Sequence, residues 1–414
     1  MFQYRAGQLH CEQVDLQALA GEYGTPAYVY SKNAILDRWN DYERALSGIP
    51  HRVCFAVKAN SNLAVLAALA RAGAGFDIVS GGELQRVLQA GGDAASVVFS
   101  GVGKTAAEIG LALDKGIHSF NCESETEIAL ISEIATAKGL KASIALRVNP
   151  DVNAKTHPYI STGLKEHKFG VDIAAAEEIY RRASRLSGIA AEGVSCHIGS
   201  QLLELEPLLE AADKTLALVA RLRAAGLEIR YLDLGGGLGV QYRPNERSAS
   251  IDEFARGLRP KLASLNLTLM LEPGRSIVAE AGILLTRVLL IKQNGAKIFV
   301  VVDGAMNDLL RPALYQAHHE ITPVSEARSG MAMTADVVGP VCETGDFFAR
   351  DRELPALQPG DLIALRTAGA YGFVLSSNYN SRPRPCELLI DGAQVILARR
   401  RETFEDLIRG ESLL

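Results

Sequence analysis

The sequence predicts an α/β chain in two parts: a (β/α)8 barrel over residues 31–280, then a β-rich domain over residues 281–414. Three observations predict it. Short apolar runs alternate with stretches of helical periodicity between residues 53 and 275. Polar residues gather at the ends of those runs. Clear helical texture stops near residue 280, where turn-punctuated strands take over.

The candidate strands are VCFAVKA (53–59), GFDIVS (75–80), VVFSG (97–101), SFNCES (119–124), SIALRVNP (143–150), GVSCHIGS (193–200), YLDLGGG (231–237) and LMLEPGR (269–275). The first four begin roughly 22 residues apart, room for a strand, about three helical turns and two loops. The run NLAVLAALARAG sets Leu63, Leu66, Leu69 and Ala70 on one helical face before Gly73 ends it. Eight units suit a closed parallel barrel, although periodicity alone also allows an open doubly wound sheet. Closure is favoured by the strand ends. Lys58, Asp77, Ser80, Ser100, Asn121, Glu123, Arg147, Asn149, His197, Ser200, Glu272 and Arg275 all fall there, and parallel strands bring such ends to one rim.

Beyond residue 280, AKIFVVVDGA, MTADVVGPVC, GDLIALRTAGAYGFV and CELLIDGAQVILARR read as strands, separated by turns such as Pro359-Gly360 and Asp391-Gly392. Residues 1–30 hold short strand-like runs and are expected to pack with this β-rich part.

Bulk properties exclude several classes. With 414 residues, 48% hydrophobic and 22% charged, the chain can bury a large core. A net charge of -5 gives no electrostatic reason to expect nucleic acid or an anionic membrane as partner. No apolar run is long enough to span a membrane, and the N-terminus shows no secretion signal. The six cysteines fit neither a disulfide framework nor a zinc motif, so reduced thiols, a cytoplasmic location and no metal are expected.

Lys58 follows an apolar run that buries its stem. Most such lysines snorkel to solvent, but a desolvated amine is also what Schiff-base chemistry uses. Gly235, Gly236 and Gly237 follow a strand, where exposed backbone N–H groups can hold a phosphate; a tight turn explains the same run, and the dinucleotide spacing is absent. Gly274 and Arg275 repeat that theme after the last strand. Glu272 ends a barrel strand, and a carboxylate there needs a partner such as a protonated ring nitrogen. A lone His197 is usually structural, though an imidazole against a cofactor ring is a reasonable alternative. Cys342 and Glu343 share a predicted loop in GPVCETGD, better placed for proton transfer than Cys54 or Cys196 inside apolar runs. Arg311, Tyr315 and Tyr371, each taken singly, read as ordinary surface or core residues.

In order, FAVKAN, GFDIVSGGEL, HIGSQ, DLGGGLG, EPGR, MNDLLRPALY, GPVCETGDF and AGAYGF closely resemble the meso-diaminopimelate decarboxylase family, pyridoxal-phosphate (PLP) enzymes with an alanine-racemase-like fold. The match runs from about residue 5 to the C-terminus. The resemblance implies that Lys58 carries PLP, that His197 stacks on its ring, and that Asp77 lies in the cofactor site. Ser200, Gly235 to Gly237, Gly274 and Arg275 would hold the phosphate, and Glu272 the ring nitrogen. Arg275, Arg311 and Tyr315 would bind the distal end of the substrate, Glu343 its ammonium, and Tyr371 both cofactor and substrate. Cys342 would donate the proton, arriving with Glu343 from the other subunit of a homodimer. The implied reaction converts meso-2,6-diaminopimelate to L-lysine and CO2. The alternatives are decarboxylation of ornithine, arginine or lysine, or a non-catalytic PLP-binding protein. Arg311, Tyr315 and Glu343 together suit a zwitterionic distal end better than a bare cation.

Overall fold

The computed structural model describes residues 1–152, 168–263, 265–326 and 332–414. Two compact units are present: residues 38–240 with 247–276, and residues 1–37 with 241–246 and 277–414.

The first unit is a closed ring of eight parallel strands: β1 (His51–Ala56), β2 (Gly75–Ile78), β3 (Val97–Phe99), β4 (Ser119–Cys122), β5 (Ala142–Asn149), β6 (Ile189–Ser195), β7 (Tyr231–Asp233) and β8 (Thr268–Leu271). Each pairs with the next, and β8 returns to β1 through Leu269–His51, Met270–Arg52 and Leu271–Val53. This is a TIM-like barrel, and the open sheet is excluded. Its core contains Cys54, Val98, Ala145, Tyr231 and Met270, drawn from β1, β3, β5, β7 and β8. The first four come from alternate strands, the layering that fills such barrels with side chains instead of a pore. Gly193 of β6 is obligatory here, because a Cβ would collide with the Tyr231 ring.

Several expected strands end early. The run VCFAVKA splits into β1 and a 3-10 turn, Val57–Ala59, so Lys58 stands two residues past the strand. Likewise β7 stops at Asp233, β8 at Leu271 and β6 at Ser195, leaving the glycine run, Glu272 and His197 on loops. The hydrogen-bonding ladder ends where glycine and polar side chains take over the backbone's partners. Helices that follow begin on side-chain caps: Ser80, Thr105, Ser124 and Ser250 each accept a bond from the N–H three residues on, with reciprocal glutamate bonds at Thr105 and Ser250.

The second unit is β-rich. Its sheet runs, by residue, Phe347–Leu354, Met333–Val338, Lys297–Val302, Gly282–Asn294, Ala27–Ser31, Cys386–Asp391 and Gln394–Arg399. The long strand Gly282–Asn294 organises it, pairing with Ala27–Ser31 and Leu362–Leu365 along its first half and with Lys297–Val302 along its second. Phe2, Leu9, Leu16 and Leu19 from the N-terminus pack in the same core as Ile283, Leu285, Leu362, Leu388 and Ile390. Short helices do occur after residue 280, at Arg311–Tyr315 and Phe404–Leu407, too brief to register as periodicity.

Candidate active site

The barrel rim is built from the turns just past the strands. The Lys58 amine lies 2.6 Å from Asp77 Oδ2, an ion pair between a partly accessible lysine and a fully buried acid of β2. The other oxygen, Oδ1, is buried with no hydrogen-bond partner among the described residues. Glu83, at the first turn of helix Gly81–Gln89, accepts a bond from the Val79 N–H; burial lifts its carboxyl to about 7, with Asp77 adding to the rise.

Deeper in the barrel, two acids converge on one amide. Asn121 Nδ2 donates to Asp233 Oδ2 at 2.9 Å and to Glu272 Oε1 at 3.0 Å, and Ser100 Oγ donates to the same glutamate oxygen at 3.3 Å. All four residues are buried. Burial first, then the neighbouring Asp233 and Asp77, raise the proton affinity of Glu272 well above the usual carboxylate range, with Lys58 opposing. Two buried carboxyls this close cannot both ionise cheaply, so the pair retains a proton.

The glycine run is tied to this centre through its backbone. Gly235 N–H donates to Asp233 Oδ1 at 2.8 Å, and the Glu272 N–H donates to the Gly235 carbonyl at 2.7 Å. Gly235 and Gly237 have φ of +66° and +111°, a region costly for any side chain. A Cβ on Gly235 would meet His197 Nδ1 at 2.7 Å and the Cys196 carbonyl at 2.8 Å; one on Gly274 would meet Ala59 Cβ at 2.8 Å. Gly236 N–H donates to His197 Nδ1 at 3.2 Å, which assigns that nitrogen's lone pair to the backbone. Burial, then Arg147 and Lys58, pull the His197 proton affinity well down, so the ring is neutral. Arg147 itself donates to the His197 carbonyl and pairs with Glu123 at 3.0 Å. Arg275, buried at the start of the short helix Arg275–Val278, donates to Ser200 Oγ at 3.1 Å.

The barrel unit therefore holds Lys58, Asp77, His197, Ser200, Gly235, Gly236, Gly237, Glu272, Gly274 and Arg275. The second unit holds Arg311, Tyr315, Cys342, Glu343 and Tyr371. Arg311 and Tyr315 are four residues apart on helix Arg311–Tyr315. Cys342 and Glu343 are exposed on a loop secured from below: Asp346 accepts the N–H groups of Met306 and Val341, both at 2.7 Å. Cys342 N–H donates to Asn380 Oδ1 at 2.8 Å, and Tyr379 OH donates to Glu343 at 3.3 Å. Tyr371 has φ of +54°, a left-handed conformation uncommon for a bulky residue.

Sequence reasoning missed Asp233 and Glu83, which the fold brings together with Glu272 and Asp77. Asp233 had a readable signal, an acid closing a barrel strand directly before a glycine run. The sequence offered no comparable signal for Glu83.

The aldehyde of PLP needs an amine, its phosphate needs close backbone N–H groups, and its ring nitrogen needs an acid. Lys58 and Glu272 fit the first and the last of these, and Ser200, Arg275 and the turns at Gly237 and Gly274 fit the phosphate, which defines a PLP-binding barrel. A family model described as "Pyridoxal-dependent decarboxylase, pyridoxal binding domain" matches residues 32–279. Diaminopimelate decarboxylase of Pseudomonas aeruginosa is 56% identical over 100% of this chain and 99% of its own length. That of Vibrio cholerae is 53% identical, covering 99% and 97%. A crystal structure of diaminopimelate decarboxylase from Helicobacter pylori complexed with L-lysine superposes with a TM-score of 0.92 at 46% identity, covering 95% of this chain and 98% of that one. The chain belongs to the diaminopimelate decarboxylases, and its cofactor is PLP.

Proposed function

We propose that this enzyme removes CO2 from meso-diaminopimelate to give L-lysine, as the last step of lysine biosynthesis in the cytoplasm. The observation that carries the reading is an accessible lysine amine held on buried Asp77, in the same barrel as a buried acid, Glu272, of raised proton affinity. Bound PLP supplies the electron sink that accepts the pair left when CO2 departs.

The protein's own groups do the rest. Lys58 would anchor the cofactor covalently, and Asp77 would hold its amine in place whenever that bond is open. Glu272, as a carboxylate, would accept the hydrogen of the ring nitrogen, and its negative charge would favour the protonated ring. His197, neutral and fixed through Nδ1, would stack on the ring without adding charge. Gly237, Gly274, Arg275 and Ser200 would take the phosphate, with Gly235 and Gly236 shaping the turn through their bonds to Asp233 and His197. Arg275, Arg311 and Tyr315 bind the distal carboxylate, Glu343 the distal ammonium, and Tyr371 touches both cofactor and substrate. Cys342 Sγ hands its proton to the carbon that has lost CO2. Cys342 and Glu343 lie exposed side by side on a braced loop, which suits residues that complete the site of a second copy in a homodimer.

The test is a substrate panel on PLP-loaded protein. Release of CO2 is expected from meso-diaminopimelate and not from ornithine, arginine or lysine; equal turnover of ornithine overturns the specificity reading.

A further inference from the structure

Arg311 is buried, and its NH1 lies 2.9 Å from Nε2 of His319, a residue with 0% exposure. The other ring nitrogen, Nδ1, lies 2.8 Å from the Arg366 carbonyl. A guanidinium carries only donors, so Nε2 must present its lone pair; a carbonyl only accepts, so Nδ1 must carry the hydrogen. The two partners thus fix both nitrogens, and His319 is a neutral imidazole in its Nδ1–H tautomer. Below the guanidinium lies the Tyr242 ring, 4.5 Å from centroid to Cζ, and that ring meets His319 edge-on at 5.6 Å and 81°. The planar cation is held on its face by Tyr242 and at one nitrogen by His319. A carboxylate in the place of His319 would cancel the positive charge. A neutral acceptor sets direction and adds no opposing charge of its own.

We infer that His319 is a positioning residue that aims the Arg311 guanidinium at the carboxylate on the distal end of the substrate. The inference rests on the proposed role of Arg311 and deepens it. Lysine carries that carboxylate; cadaverine is the same chain without it, so the ratio of their inhibition constants against the holoenzyme reads the clamp alone. Arg311→Ala should cut the preference for lysine by about 100-fold, leaving what Arg275 and Tyr315 contribute. His319→Leu should reduce it by about 10-fold or more, the scale of a lost hydrogen bond to a charged group. Its loss in kcat/KM for diaminopimelate should fall mainly on KM. His319→Gln, whose amide oxygen can stand where Nε2 stood, should recover most of the preference.

If Arg311→Ala loses the preference and His319→Leu keeps it within about twofold, the positioning role is wrong and the Arg311 reading survives. If Arg311→Ala keeps it, both fall together. Imidazole nitrogen NMR on the wild-type holoenzyme needs no folded variant: a hydrogen on Nδ1 and a bare Nε2 support the inference, and an Nε2–H or doubly protonated ring overturns it.

Discussion

Replacing Gly235 by alanine tests whether the glycine run is a cofactor cradle or only a tight turn. At φ +66° a Cβ is unfavourable by about 1–2 kcal/mol before any contact is counted. The new methyl also sits 2.8 Å from the Cys196 carbonyl and 2.9 Å from His197 Cβ, where ordinary contact begins at 3.4 Å. Relieving a shortfall of roughly half an ångström against backbone costs a further 1–3 kcal/mol or so. The loop cannot simply lift away, because Gly235 is bonded to Asp233 through its N–H and to Glu272 through its carbonyl. The displacement is therefore passed to His197 on one side and to the acid pair on the other. We expect about 2–5 kcal/mol of lost stability and a fall of about 10-fold or more in PLP affinity. Chemical denaturation and titration of apo-protein with PLP measure the two. Gly110→Ala is the control: it lies in helix Ala106–Lys115 with only Lys138 Cε nearby, at 3.6 Å, and should gain about 0.5–1 kcal/mol with PLP affinity intact. A Gly235→Ala protein that binds PLP within about threefold of wild type would refute the cradle argument.

Three further outcomes are expected. Lys58→Ala should abolish borohydride trapping of the cofactor, and trapping at any other lysine removes the assignment. Cys342→Ala should slow turnover by about 100- to 10,000-fold with PLP retained; heterodimers of Lys58→Ala with Cys342→Ala should regain part of the activity, and no recovery in verified heterodimers counts against shared sites. In the apo-protein, the raised affinity of Glu272 means that the folded chain holds more protons than the unfolded one. That contribution to stability is complete below the unfolded glutamate value of about 4.3 and is lost as pH rises toward the folded value. Asp233→Asn removes the principal charge that raises it, so the decline in urea midpoint with rising pH should flatten, and parallel curves for the two proteins would sink the acid-pair account.

The barrel was legible because its signals are local. Each strand shows as an apolar run, each helix as a periodicity, and the rim as polar residues recurring after the runs. Ring closure was only inferable, since the pairing of Leu269 with His51 joins segments more than two hundred residues apart. The place of Lys58 shifted for a related reason: Val57 and Ala59 look like strand residues, yet the chain turns there as β1 gives way to a 3-10 turn. Asp233 was overlooked although it ends a strand as Glu272 does, because its partners are distant in sequence and only the fold brings Asn121 and Glu272 to it. His319 left no trace in the sequence. Its meaning lies in two hydrogen bonds, one to a side chain eight residues back and one to a carbonyl 47 residues on.

The distribution of thiols has a practical consequence. Cys11, Cys54, Cys122, Cys196 and Cys386 are buried, and burial pushes each of their thiols up, so they are both unreachable and slow to ionise. Cys342 alone is exposed. An alkylating reagent applied to the folded, unmutated enzyme should therefore modify one position in each chain. Its rate would follow dilution, cofactor loading and ligand occupancy without any cysteine having to be engineered out.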